Sequence, residues 1–119
     1  MSFEASVHAD LGALVDGQAW PDVVPDEAIY PLFVYQQIGG RSRRYIDNTR
    51  SSTRNARLQV RVWAETREQA SALAHQAEDA LVASAAYAAV EPVGAFVSDY
   101  DDIVKKYGAR QDFSIWYAD

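Results

Sequence analysis

The stretch from Asn55 to Ala85 constrains the fold most, because a period of two changes there to a period of about 3.6 at a single capping position. Ala56, Leu58, Val60, Val62 and Ala64 fall on one side of an extended run, and Arg57, Gln59, Arg61 and Trp63 on the other. Such alternation predicts a strand with one apolar face. Thr66 then offers a side-chain oxygen to the free amides of a helix start, and Gln69 follows three residues later, where a capping-box partner belongs. The spacing predicts a helix from Arg67. Its buried stripe is Ala70, Leu73, Ala74, Ala77, Ala80 and Leu81, with Arg67, Glu68, Ser71, His75, Glu78 and Asp79 toward water. Alanine dominates the stripe, so the helix can lie close to a sheet. Nine strand residues span about 30 Å at roughly 3.3 Å each, and eighteen helical residues about 27 Å at roughly 1.5 Å each. One helix can therefore cover the whole strand.

The segments on either side are read in the same way. Phe3, Val7, Leu11, Leu14 and Val15 recur at helical spacing before Gly17, which predicts an amphipathic helix over residues 3 to 15. Trp20-Pro21-Asp22-Val23-Val24-Pro25 is extended or turn, since each proline lacks a donor and restricts the residue before it. Leu32 to Ile38 reads as a strand, and Gly39-Gly40 as a tight hairpin with a return strand over residues 41 to 46. Asp47 to Asn55 is polar throughout and predicts a mobile, projecting loop. Beyond Pro92, which ends any helix, Gly94 to Tyr100 and Arg110 to Tyr117 read as strands, with Asp101 to Lys106 as a link and Gly108 as a turn residue. The expectation is one α+β domain over residues 1 to 119. It has a mostly antiparallel sheet of five or six strands, an N-terminal helix and one long helix packed on it.

Composition sets bounds on function. With 119 residues and 49% hydrophobic content, the chain can bury a sufficient core without metal or disulfide, and it has no cysteine for either a disulfide or thiolate chemistry. No apolar run approaches the roughly 18 residues of a membrane span, and Met-Ser-Phe-Glu-Ala lacks a signal-peptide layout, so a soluble cytoplasmic protein is expected. The net charge of −6 conceals a split. Residues 41 to 61 carry seven arginines (41, 43, 44, 50, 54, 57 and 61) against the single acid Asp47, a balance of +6, which leaves −12 for the remainder. An acidic body with one basic element suits self-association of complementary faces or contact with an acidic partner.

Candidate chemistry is sparse. His8 and His75 lie on predicted helix surfaces without an orienting partner. Glu91, Asp99, Asp101 and Asp102 supply the oxygens a divalent cation wants, but their spacing matches neither an EF-hand loop nor a two-metal centre. No phosphate loop, nucleophile elbow or paired-carboxylate motif occurs, so neither enzyme activity nor a cofactor or metal is expected. The arginine cluster remains. It suits a protein assembly surface, where arginine is enriched, or a nucleic-acid-binding module in which Arg41, Arg43 and Arg54 hold phosphates while Tyr45 stacks. Trp63 and Trp116 fall opposite the apolar strand faces, so one of them is a candidate for a subunit contact.

Several stretches together resemble a known family. Tyr35-Gln36-Gln37-Ile38-Gly39-Gly40, Asn55 to Ala64 and Gln111 to Tyr117 look like the small tail completion, or tail terminator, proteins of long-tailed bacteriophages. Trp20 to Pro25 and Thr66-Arg67-Glu68-Gln69-Ala70 fit the same pattern, so the likeness runs in order over nearly the whole chain. The resemblance implies an α+β protein that assembles as a ring, typically of six subunits, on the finished tail tube. Such a ring stops tube growth and presents a surface to the head connector. It implies itself, the tail tube protein and the head–tail connector protein as partners, without a membrane. The implied locations are the host bacterial cytoplasm during assembly and the head-proximal end of the virion tail. The long loop of such proteins is ordered in the ring, and Asp47 to Asn55 is the matching element here. The arginines are not a fixed motif of that family; the charge cluster itself, with Trp63 from the face opposite the apolar one, makes Arg41, Arg43, Arg44, Tyr45, Arg50, Arg54 and Trp63 the expected interface residues.

Overall fold

In the computed structural model, which describes residues 2–49 and 51–118, the strand-to-helix unit forms at the middle of the chain. The elements run α1 (Phe3–Gly12), β1 (Ala19–Pro21), β2 (Leu32–Gln37), β3 (Thr53–Ala64), α2 (Arg67–Ala83), β4 (Ala89–Asp101) and β5 (Lys106–Ala118). The five strands make one sheet in the order β1-β2-β3-β5-β4. Every neighbouring pair is antiparallel except β1 with β2, so the expected α+β architecture with a mostly antiparallel sheet is present.

The Thr66 hydroxyl accepts from the Gln69 amide at 3.1 Å, and the Gln69 side chain returns to accept from the Glu65 amide at 3.3 Å. This fixes the start of α2 at Arg67. Ala70, Leu73, Ala74, Ala77 and Leu81 are buried against Val60 and Val62 of β3 and Ala109 and Phe113 of β5. Ala80 is only half-buried, at the margin of the stripe. On α1, Phe3, Val7 and Leu11 enter the same apolar cluster, and the Phe3 ring stacks on Tyr117 at 4.3 Å. The hydroxyl of buried Tyr87 donates to Asp10 at 2.9 Å and ties α1 to the segment after α2. Burial, with this bond to a carboxylate, raises the Tyr87 pKa above its ordinary value.

Several boundaries differ from the sequence reading. Helix α1 ends at Gly12, and the chain turns through Asp16 (φ 53°) and Gly17 (φ 83°), so Leu14 and Val15 pack from the turn instead of from the helix. Strands β3, β4 and β5 are all longer than the apolar alternation suggests. β3 pairs with β5 from Thr53↔Ala118 to Ala64↔Tyr107, and hydrogen bonding carries polar residues into the ladder. Pro92 lies within β4, which is an edge strand and does not need its missing donor. Gly108 lies in β5 rather than in a turn, and the reason is steric. A Cβ there would stand 2.7 Å from the Trp63 ring, which lies across it in register. Arg67, expected toward water, is half-buried. Its guanidinium donates to the Gly108 carbonyl at 2.6 Å and the Asp99 carbonyl at 3.2 Å, and so joins α2 to the β4–β5 hairpin.

The largest correction concerns Gly39-Gly40. No return strand forms over residues 41 to 46, because β2 already has β3 as its antiparallel partner. The pairing continues past β2, with the Ile38 amide on the Arg57 carbonyl and the Arg57 amide on the Gly39 carbonyl, each at 2.8 Å. The chain then crosses over β3 at Gly40 (φ 141°), where a Cβ would stand 2.5 Å from the Asn55 carbonyl oxygen. Only glycine fits this crossing. Asn55 is buried and clips it: its Oδ1 accepts from the Arg41 amide at 2.9 Å, while its Nδ2 donates to the Ser114 hydroxyl at 3.1 Å and the Ile115 carbonyl at 3.3 Å.

Asn55→Ala removes these bonds and leaves groups of two elements without partners, so a loss of about 1–3 kcal/mol is expected. Urea denaturation will show that loss. Amide exchange will show faster exchange at Arg41 with protection of the β3–β5 ladder retained, whereas wild-type exchange at Arg41 would refute the clip.

Candidate assembly surface

Both helices cover one face of the sheet, and the other face bears no helix. Alternation places Arg57, Gln59, Arg61 and Trp63 of β3 there, beside Arg110, Asp112, Ser114 and Trp116 of β5. This face is laced by polar pairs. Arg57 donates twice to one oxygen of Asp112, at 2.8 and 3.1 Å, while Gln59 reaches the other oxygen at 3.3 Å. Arg110 lies 3.7 Å from Asp99. Because the Arg57 side chain is 48% exposed, its pair contributes about 0.2–1 kcal/mol and serves mainly to fix position. Arg57 and Arg61 therefore belong to the sheet face and not to the basic loop.

The loop from Ile38 to Thr49 lies across the end of this face. Arg43 sits over the Trp116 ring at 4.8 Å, a cation–π contact that holds the loop against β5. Beyond it the chain makes its own tight turn. The Tyr45 amide donates to the Thr49 carbonyl at 2.8 Å, the Asn48 amide to the Tyr45 carbonyl at 2.9 Å, and Arg44 to the Asn48 carbonyl at 3.1 Å. The Thr49 hydroxyl and amide both donate to Asp47, at 2.7 and 3.1 Å, and hold its carboxyl below the ordinary carboxylate range. Residues 44–49 are therefore partly held by local hydrogen bonds, where the sequence suggested a mobile, projecting loop. Tyr45 is 60% exposed and Ile46 fully so, although neither has an internal reason to face water.

Between this loop and the sheet end is a hollow of about 270 Å³, lined by Arg41, Arg43, Arg44, Arg54, Asn55 and Tyr117 among others. Four of the expected site arginines thus converge, while Tyr45, next to Arg44 in the chain, does not line the hollow; Arg50 lies outside the described residues. Trp63 does not join them. It lies eight residues along β3 from Asn55, about 26 Å at roughly 3.3 Å per residue, toward the opposite end of the sheet. Asn55 is the residue that sequence reasoning missed. Read as the end of a polar loop, it is instead the buried anchor, and the signal available was its position next to the alternating run.

The acidic residues do not gather. The Asp101 carboxylate accepts from the amides of Ile103 (2.9 Å) and Val104 (3.3 Å) and caps the β4–β5 turn. Glu91 lies in register with Ser114, far along β4 from Asp99, which faces Gly108. Among the described residues, no three His, Cys, Asp or Glu side chains converge as metal ligands, and no helix is long and apolar enough to cross a membrane. His8 and His75 are exposed, and His75 packs edge-on against Phe96 at 5.4 Å between ring centres.

No curated protein matches the chain. The family model described as Tail completion protein gp17 matches residues 5–118, from the first turn of α1 to the end of β5, so the match takes in the whole sheet together with the arginine loop and its anchor. The chain belongs to this family of phage tail completion proteins, structural components of the tail.

Proposed function

We propose that the protein caps the phage tail tube as a ring of its own copies, ends tail elongation and joins the tail to the head connector. The observation that carries this reading is the clipped arginine loop. Exposed Arg41, Arg43 and Arg44, with Tyr45 and Ile46, are held at one end of a molecule whose remaining charge is acidic. A basic surface and an acidic one on the same chain are different patches. Pairing them between copies gives a heterologous contact, which generates a ring when the rotation closes. The likeness to tail terminators supports six copies, and it supports the tube protein and the connector protein as the further partners. Arg41, Arg43, Arg44, Tyr45, Arg50 and Arg54 form the contact, with Trp63 belonging to a separate part of the surface. No catalytic step is required of the protein, since a ring acts by shape and position.

Arg43→Glu with Arg44→Glu tests the contact. The monomer is expected to keep its fold, with a loss of about 0.5–1 kcal/mol from the Trp116 contact. Complementation of a phage lacking the gene should then fail, and ring formation should be lost. Rings at the wild-type concentration would remove these arginines from the interface.

Deletion of the gene from its phage is expected to give overlong tails unattached to filled heads, visible by negative-stain microscopy. Normal virions would overturn the capping reading. Salt-dependent retardation of DNA by the purified protein, lost with the same glutamate substitutions, would instead favour a nucleic-acid contact for the loop.

A further inference from the structure

The ring reading leaves open which part of the acidic body meets the arginine loop. We infer that the acceptor is the strap between β1 and β2 of the neighbouring copy, the segment from Asp22 to Ile29. This inference rests on the reading of the protein as a ring.

The strap combines the two properties that complement the loop. It carries Asp22, Asp26 and Glu27, and no basic residue occurs anywhere from Pro21 to Gly40. It also exposes large apolar side chains, with Val23 70%, Val24 40% and Ile29 64% accessible. The loop presents the opposite charge with matching apolar surface: Arg41, Arg43 and Arg44 beside exposed Ile38 and Tyr45 and fully exposed Ile46. Apolar contact supplies affinity, and the paired charges fix partner and register. Within one subunit, no ion pair among the described residues engages Asp22, Asp26 or Glu27.

The strap is also shaped in advance. It leaves β1 with the Asp22 amide on the Tyr35 carbonyl at 3.0 Å, and it returns to β2 where Lys106 lies 4.9 Å over the Tyr30 ring. Pro21, Pro25 and Pro31 limit its freedom, so little ordering is needed on contact. Several other acidic residues already have partners within the subunit, and exposed Glu4, Glu68, Asp79 and Glu91 lack the strap's run of exposed apolar neighbours. Asp99 faces Arg110 and Asp101 caps its own turn beside Lys105 and Lys106, while on α2 Glu78 accepts from Gln111 at 2.7 Å. Strand addition at the sheet edges is a poor alternative. β1 has three residues and ends in Pro21, and β4 is interrupted by Pro92 and by the irregularity between Val93 and Val97.

The absence of cysteine makes the test direct. Val23→Cys and Ile46→Cys are introduced on separate copies, which are co-expressed to complement the deleted phage, and purified tails are oxidised mildly. The expected product is a cross-linked pair containing one copy of each variant. A control pair, Val23→Cys with Ile103→Cys at the exposed far turn (87% accessible), is expected to give none. Asp26→Arg with Glu27→Arg should abolish tail joining, and adding Arg43→Glu with Arg44→Glu to the same chain should restore it. Melting curves of each purified variant exclude simple unfolding. Joined tails of normal length without the Val23–Ile46 cross-link, or folded repair variants without rescue, overturn the strap and leave the capping reading in place. Normal virions from the phage lacking the gene overturn the reading itself.

Discussion

The contact between the alanine stripe of α2 and the apolar side of β3 and β5 is the constraint on which the other elements depend. Ala70, Ala74 and Ala77 bring the helix near the sheet, and Leu73 and Leu81 anchor its flanks; a fully buried leucine contributes about 1.5–3 kcal/mol. Because α2 follows β3 after only Glu65 and Thr66, the helix must fold back over the strand it has just left. That choice commits β3 to the centre of the sheet, with β2 on one side and β5 on the other. The helix-covered face is then complete once α1 has closed over Phe33, Tyr35 and Leu58.

The opposite face has no helix and holds together differently. Leu32 and Val34 of β2 are buried on it, and the rest of its order comes from charge pairs and from a loop laid across it, neither of which contributes much free energy alone. Arg57 with Asp112 and Arg110 with Asp99 are partly solvated. Asn55 is the exception, because it is buried and its bonds satisfy the loop and β5 at once. The loop therefore has a firm root at Gly40 and Arg41 and an exposed tip at Tyr45 and Ile46. A rooted element with an apolar, basic tip can meet a partner without first paying the entropy of a free chain.

The sequence displays the covered face well and the open face poorly, for a physical reason. Helix-facing positions obey periodicity: the buried stripe of α2 and the alternation of Ala56 to Ala64 follow from burial alone, and the N-cap at Thr66 is legible because its hydrogen bond is local in sequence. The open face is built from long-range hydrogen bonds that leave no local pattern. Nothing near Gly39-Gly40 in sequence reveals that β3 already fills the place of a return strand, or that the second glycine is demanded by the Asn55 backbone. Gly108 misleads in the same way, since the Trp63 ring that excludes a side chain lies far from it in sequence. The arginines were legible as a charge imbalance, and four of them do converge. Their separation from Arg57, Arg61 and Trp63 could be seen only once strand register was known.

The edges of the sheet favour side-chain contacts over strand addition for the proposed ring. An open five-stranded sheet has two edges, and either could take up a strand from another copy without limit. β1 is too short for this and is closed by Pro21, with the strap turning back just beyond it. β4 is long, but Pro92 removes a donor, Gly94 (φ 78°) breaks the register with β5, and Glu91 is exposed along it. Both edges are thus unsuited to indefinite stacking, which would be harmful in a protein whose family role is completion of a tail. What remains for contact is a pair of side-chain surfaces of opposite charge at different places on the molecule. In the proposed ring such surfaces would saturate each other on closure, so that growth would stop by geometry.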